Sequence, residues 1–344
     1  PRLRDPEPPQ PEPSVDSVTL PSPAERAAPP GGRDRSPSRG SARRWIVGMV
    51  LLLALVWWVQ SYVGWRELLA PWKELRLGAV GVAVLGVFAS HVLRALRIRD
   101  YFGSALRGRP GAVLSVALVH NLLNTLLPMR TGEAAFPVLL RSRFGVETAR
   151  SVPGLLLFRL LDLQVVLLLG LAVLTVGEAV HPALGLSGLV LLAAAPLAMG
   201  PARAWALSRI PDGGARWPGW LRRGFQSLPQ RPGHLARTWV LTFLTWTVKL
   251  TAYGFILSRL GGFAAGAGIL GSITGELSSV LPFHGVAGAG TYEAGVVVGL
   301  APLGIPLEAA MRGAVNLHLF VLGTALVLGV AAALAGQYRG AGGD

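Results

Sequence analysis

The 344-residue chain is 51% hydrophobic, carries 44 glycines and no cysteine, and has a formal net charge of +14. Its long apolar runs exclude a soluble domain, where such runs would alternate with polar faces, and the lack of cysteine excludes disulfides and thiolate chemistry. The positive charge does not indicate nucleic acid, because the arginines gather at the ends of apolar runs, as they do on the cytoplasmic flanks of membrane spans.

In chain order, residues 1–44 come first and hold 11 of the 26 prolines, many Ser and Arg, and few aliphatic residues. Such a stretch buries too little apolar surface to offset chain entropy, so it is predicted to be a disordered cytoplasmic tail. It lacks the apolar core of a signal peptide. It reads as a solvated tail that helps set topology or as a tether to lipid headgroups. Eight apolar runs follow, at 45–63, 77–96, 112–127, 151–176, 184–199, 238–258, 264–281 and 309–335. Crossing about 30 Å of hydrocarbon takes roughly 20 residues. The predicted fold is an all-α polytopic membrane protein over residues 45–336. It comprises about six full transmembrane helices, two broken re-entrant hairpins and a short tail at 337–344.

Loop charge sets the predicted topology. Arg33, Arg35, Arg39, Arg43 and Arg44 put the N-terminus in the cytoplasm, and the charge-balanced loop 64–76, with Trp65 and Trp72, lies outside. Arg94, Arg97, Arg99, Arg107 and Arg109 read as the next cytoplasmic loop. If the third run crossed fully, Arg141, Arg143 and Arg150 would lie outside, and so would loop 203–237 with its seven arginines and one acid. If the chain instead breaks at Pro128 and turns back, every short loop obeys the rule. Both termini are then cytoplasmic. Loop 203–237 also interleaves Trp205, Trp217 and Trp220 with arginine, as either an interfacial segment or an ordinary basic loop.

The break at Pro128 has a second copy. Residues 127–133 read LPMRTGE and residues 281–293 read LPFHGVAGAGTYE. Pro128 lies 31 residues before Arg159, and Pro282 lies 30 before Arg312. Hydrophobic segments interrupted by Pro and Gly at matching places in two halves point to a transporter's binding site. The two copies, about 112–176 and 264–335, are therefore predicted to face each other as inverted hairpins near the membrane midplane. Pro128, Gly132, Pro282, Gly288 and Gly290 shape their backbone. The glycine run before Glu293 is not a dinucleotide loop, since an apolar span and no strand precedes it.

Ionisable residues within spans cost roughly 2.5–3.5 kcal/mol each and are functional candidates by default. Here they are Arg130, Glu133, Arg159, Asp162, Lys249, Glu276, Glu293 and Arg312, a neutral set of four cations and four carboxylates. Arg159 and Asp162 are three residues apart, as are Arg130 and Glu133, so each is expected to pair. The set reads in two ways. It either staples the hairpins together or binds an anionic headgroup through Arg130, Arg159 and Arg312, whose guanidinium groups match phosphate oxygens. His91, His120, His284 and His318 show no metal spacing, and no metal or cofactor is expected. His284, in the second break, suits a proton-coupled role or a structural hydrogen bond.

These motifs resemble the membrane half of the lysylphosphatidylglycerol synthases and the flippase-like family built on it. The resemblance rests on LP-x-R-T-G-E at 127–133, Arg141, Arg159 with Asp162, Glu276, Leu281-Pro282, and the Gly288, Gly290, Glu293 pattern. The family usually has a Pro-Gly-Gly run after the second Pro, where this chain has Phe283-His284-Gly285-Val286. The resemblance implies an inner-membrane protein that moves or presents amphipathic lipids. It also implies a membrane lipid substrate and a separate lipid-synthesising enzyme as a partner, since nine residues after Ala335 leave no room for a soluble transferase domain. The function expected is a flippase for an anionic or phosphate-bearing lipid. The alternatives are an intramembrane transferase using Glu133 and Glu293 as acid and base, or an accessory subunit of such an enzyme.

Overall fold

The computed structural model describes residues 64–210, 219, 222, 224–226, 228–229, 231–279 and 286–338, with isolated helical residues between 53 and 61. For Trp65, Pro128, Met129, Arg130, Val286 and residues 336–338 it describes the backbone alone. The predicted tail 1–44, most of the first span, Trp217, and the Pro282 and His284 of the second break lie outside the described residues. Every regular element among the described residues is helical.

Two short helices, α1 (Trp65–Leu68) and α2 (Ala70–Glu74), lead into α3 (Leu77–Phe102), which stops at Gly103, where φ is +62°. Helix α4 (Pro110–Leu126) begins on a proline, whose missing N–H costs nothing there, and ends at Leu127, which the following proline holds extended at ψ 133°. A 3-10 turn, Pro128–Ala134, leads into α5 (Ala135–Phe144), closed by left-handed Gly145. Long helix α6 (Thr148–Val176) follows, then α7 (Pro182–Ala194) and α8 (Met199–Arg209), joined by a 3-10 turn. The second series is α9 (Pro232–Gly261), α10 (Ala265–Ser278), α11 (Thr291–Leu300) and α12 (Leu307–Tyr338).

Among the described residues, five helical stretches are long and apolar enough to cross a bilayer: Leu77–Leu106, Thr148–Val176, Pro182–Arg209, Pro232–Gly261 and Leu307–Ala335. Helices α4 and α10 are not. Their 17 and 14 residues reach only about 26 and 21 Å at 1.5 Å per residue. Both stop at the breaks that the sequence marks.

Packing around these breaks is reciprocal. Helix α4 of the first copy packs on α12 of the second, and α10 of the second packs on α6 of the first. The helices one step before each copy, α3 and α9, pack along each other, and the 3-10 turns at the two breaks meet. The first break depends on glycine, because a Cβ on Gly132 would collide with the backbone of Leu123 and Asn124. Away from this frame, the α7–α8 stretch leaves Leu184, Leu186, Val190, Leu191 and Leu197 exposed, as a face against lipid would be.

The frame is also tied at its ends. Trp72 Nε1 donates to Asn316 Oδ1 (2.6 Å), and Asn316 Nδ2 donates to the carbonyls of Leu68 (2.7 Å) and Arg312 (2.9 Å). The outer turns α1 and α2 are thereby fastened to α12.

Candidate functional site

Arg94 and Arg97 were expected in a loop, but they lie inside α3 and are buried. A three-residue spacing puts them on one face of the helix, turned inward rather than toward a headgroup region. Arg97 Nη1 donates to Asp162 Oδ1 (2.6 Å) and to Thr242 (2.9 Å), and its guanidinium lies 4.4 Å from the centre of the Phe158 ring. Trp246 Nε1 also donates to Asp162 Oδ1 (2.9 Å). Asp162 is thus a hub that binds α3, α6 and α9 together, and a carboxylate buried this deeply is tolerable only because its oxygens are so well satisfied.

The expected pair Arg159–Asp162 is present at 3.4 Å, but the closer ion pair of Arg159 is with Glu133 (2.6 Å). His120 Nε2 lies 3.6 Å from the same carboxylate. Glu133 was expected to pair with Arg130, whose side chain lies outside the described residues. What holds it is Arg159 on the next long helix. Lys249 pairs with Glu276 at 2.9 Å and sits against the Trp246 and Tyr253 rings.

In the second copy Glu293 caps its own helix, accepting from Gly290 N–H (2.8 Å), and meets His318 Nδ1 at 2.6 Å. His318 Nε2 lies 2.9 Å from the carbonyl oxygen of Ala287. The count from proline had pointed to Arg312 as the counterpart of Arg159. Six more residues separate Pro282 from Glu293 (11) than Pro128 from Glu133 (5), so the count belongs to the glutamates: Arg159 stands 26 after Glu133, and His318, 25 after Glu293, lies within one residue of the matching place.

These groups surround a cavity of about 280 Å³ where the two breaks meet. Its wall includes Arg94 from α3, Asn121 and Asn124 from α4, Arg159 and Asp162 from α6, Trp246, Lys249 and Tyr253 from α9, and Glu276 from α10. Ala287 and Gly288 of the second break, Tyr292 from α11 and His318 from α12 complete it. Of the sequence candidates, the cavity thus gathers Arg159, Asp162, Lys249, Glu276 and Gly288. Glu133 and Glu293 stand behind the wall as partners of Arg159 and His318. Gly132 and Gly290 shape the turns, and Arg312 is not among the lining residues.

The lining has three cations, Arg94, Arg159 and Lys249, and two carboxylates, Asp162 and Glu276. Arg159 and Lys249 are paired. Arg94 is not: it is only 7% exposed, its Nε has no hydrogen-bond partner, and none of the carboxylates among the described residues pairs with it. A second hollow, about 870 Å³ and largely apolar, is lined by residues of α6, α9 and α10 such as Leu169, Leu250 and Ile273. Among the described residues, no group of three or more His, Cys, Asp or Glu is placed to hold a metal ion.

A family model described as the lysylphosphatidylglycerol synthase TM region matches residues 45–329. No curated protein and no solved structure matches the chain.

Proposed function

The chain belongs to the lysylphosphatidylglycerol synthase transmembrane family, a multi-pass membrane protein with a lipid-related role, and on that premise we propose that it is a lipid flippase. The lipid's anionic, phosphate-bearing headgroup would occupy the cavity between the two breaks. The two copies would be related by a two-fold axis in the membrane plane, which the exchanged packing of α4 on α12 and α10 on α6 favours. Both termini would be cytoplasmic and the membrane the inner one. Alternating exposure of the cavity to the two leaflets would move the headgroup while its tails stay in hydrocarbon or against the apolar hollow beside it.

Arg94 carries this reading. A buried guanidinium without a carboxylate partner is costly, and an anion delivered to it removes the cost. Guanidinium also matches phosphate oxygens in pairs. The cavity volume sits near the bottom of the range for ligand pockets, which suits a headgroup rather than a whole lipid. Acid–base transfer by Glu133 and Glu293 has less support, since neither lines the cavity and each is already held by a basic partner.

The test is mass spectrometry of the lipids retained by the purified protein, wild type against Arg94→Ala. An anionic phospholipid or polyprenyl phosphate retained by wild type and lost from the variant supports the reading. Bulk lipids alone, unchanged by the substitution, would overturn it.

A further inference from the structure

Two contacts on one imidazole fix how many protons it must share. His318 Nε2 faces a carbonyl oxygen, which only accepts, so that nitrogen must carry hydrogen. His318 Nδ1 faces Glu293 Oε1 at 2.6 Å. With neutral histidine and ionised glutamate, both would be acceptors there, and two acceptors do not stay at that separation. The other tautomer merely moves the clash to Ala287. Both contacts exist together only when a further proton lies between Nδ1 and Oε1, whichever atom owns it.

That proton closes a clamp. Through it α12 holds Glu293, whose other oxygen anchors Gly290 at the start of α11, and through Nε2 it holds Ala287. Ala287, Gly288 and Gly290 all have positive φ (55°, 82° and 84°), and Ala287 lacks the glycine freedom that makes such a backbone easy. Ala287, Gly288 and His318 are themselves cavity wall. In the first copy the equivalent partner is Arg159, which keeps its charge at any physiological pH.

From this geometry we propose that the His318–Glu293 pair is the proton-binding site of the protein and couples proton uptake to binding of the anionic headgroup. The proposal rests on the anion reading above. Facing the pair are Tyr292 on α11, whose ring centre is 4.8 Å from that of His318, and, around the cavity, Lys249 and Tyr253 on α9, Glu276 on α10, Arg94 on α3 and Arg159 on α6. On α4, which packs against α12, His120 is engaged with Glu133. With its proton the pair is neutral, and the cavity cations are left for the headgroup. Without it the pair carries one negative charge, which opposes an incoming anion, and one of the two contacts of His318 is lost, which opens the clamp. Proton and headgroup therefore favour each other, and the coupling is reciprocal.

The experiment is calorimetric titration of the full chain in nanodiscs with dihexanoyl phosphatidylglycerol. It is run between about pH 5 and 9, the range histidine chemistry can reach, in two buffers of different ionisation heat. Expected for wild type is uptake of one proton on binding, with affinity falling up to about tenfold per pH unit where the pair is deprotonated. His318→Gln should bind with no proton uptake and a flat profile, and Glu293→Gln, which keeps an acceptor for Gly290, gives a second variant if the first fails to fold. Arg94→Ala should lose binding at every pH. Wild-type binding with no proton uptake overturns the proton site and leaves the anion reading standing. If wild type does not bind the probe, the anion reading fails, and hydrogen exchange of residues 287–293 then decides the proton site alone. Exchange corrected for intrinsic pH dependence should open with rising pH in wild type and not in His318→Gln; a flat wild-type profile overturns the proposal.

Discussion

The two breaks repeat one another in sequence but are fastened by different chemistry. In the first, Glu133 is gripped by Arg159, whose charge is permanent, and Arg159 leans on the Asp162 hub. In the second, Glu293 is gripped by His318, 25 residues on, where Arg159 stands 26 after Glu133. One attachment is indifferent to protons and the other depends on one. The difference teaches that a repeat can keep its geometry while one copy is fixed and the other is made to let go.

The largest effect expected is at the hub. Asp162→Ala strands Arg97, whose carboxylate it is, and should cost about 3–5 kcal/mol, read as a drop in thermal stability of the purified protein. A loss no greater than that of an exposed ion pair, about 1 kcal/mol, would dissolve the contrast between the copies. Next, exchanging the fastenings should exchange their behaviour. His318→Arg should hold the second break at any pH and slow lipid movement about tenfold, equivalent to roughly 1.4 kcal/mol on the barrier, measured by headgroup accessibility in vesicles. Unchanged turnover in a folded variant would mean that the second break does not need to open.

Smaller effects separate the two turns. Gly132→Ala forces a methyl group into the Leu123–Asn124 backbone and should cost about 1–3 kcal/mol. Gly290→Ala meets open space and suffers only its positive φ, worth about 1–2 kcal/mol. Denaturation of both variants in one detergent ranks them, and a larger loss at Gly290 would reverse the assignment of tight packing to the first break. Smallest of all, Arg312→Ala should leave retention of anionic lipid within about twofold, less than 0.5 kcal/mol, as its place outside the cavity requires. A loss as large as that from Arg94→Ala would restore Arg312 to the site.

Much of the frame was legible because hydrocarbon is a simple solvent. Spans announce themselves by unbroken apolar length, and Leu-Pro marks where α4 stops. Lys249 and Glu276 declared themselves by being charged in mid-span, and Arg159 with Asp162 by helical spacing. What stayed hidden was long-range. Nothing local distinguishes an arginine that enters the core from one that flanks a span, so Arg94 and Arg97 passed for loop charges. The grip of Arg159 on Glu133 joins two helices and has no short signature. The longer second break displaced the alignment by six residues, which turned attention to Arg312 and away from His318. Anchoring the count on the glutamates instead of the prolines comes within one residue of it, because the glutamate is what the next helix holds.

The tie at Asn316 carries a mechanical consequence. Because the turns that precede α3 are bonded to the helix that follows the last break, the frame is a closed loop, and tension applied at one end is felt at the other. Pulled from its C-terminal helix in a single-molecule experiment, the protein should release α12 and the Leu68–Trp72 turns in one rupture. Asn316→Ala should split that event into two.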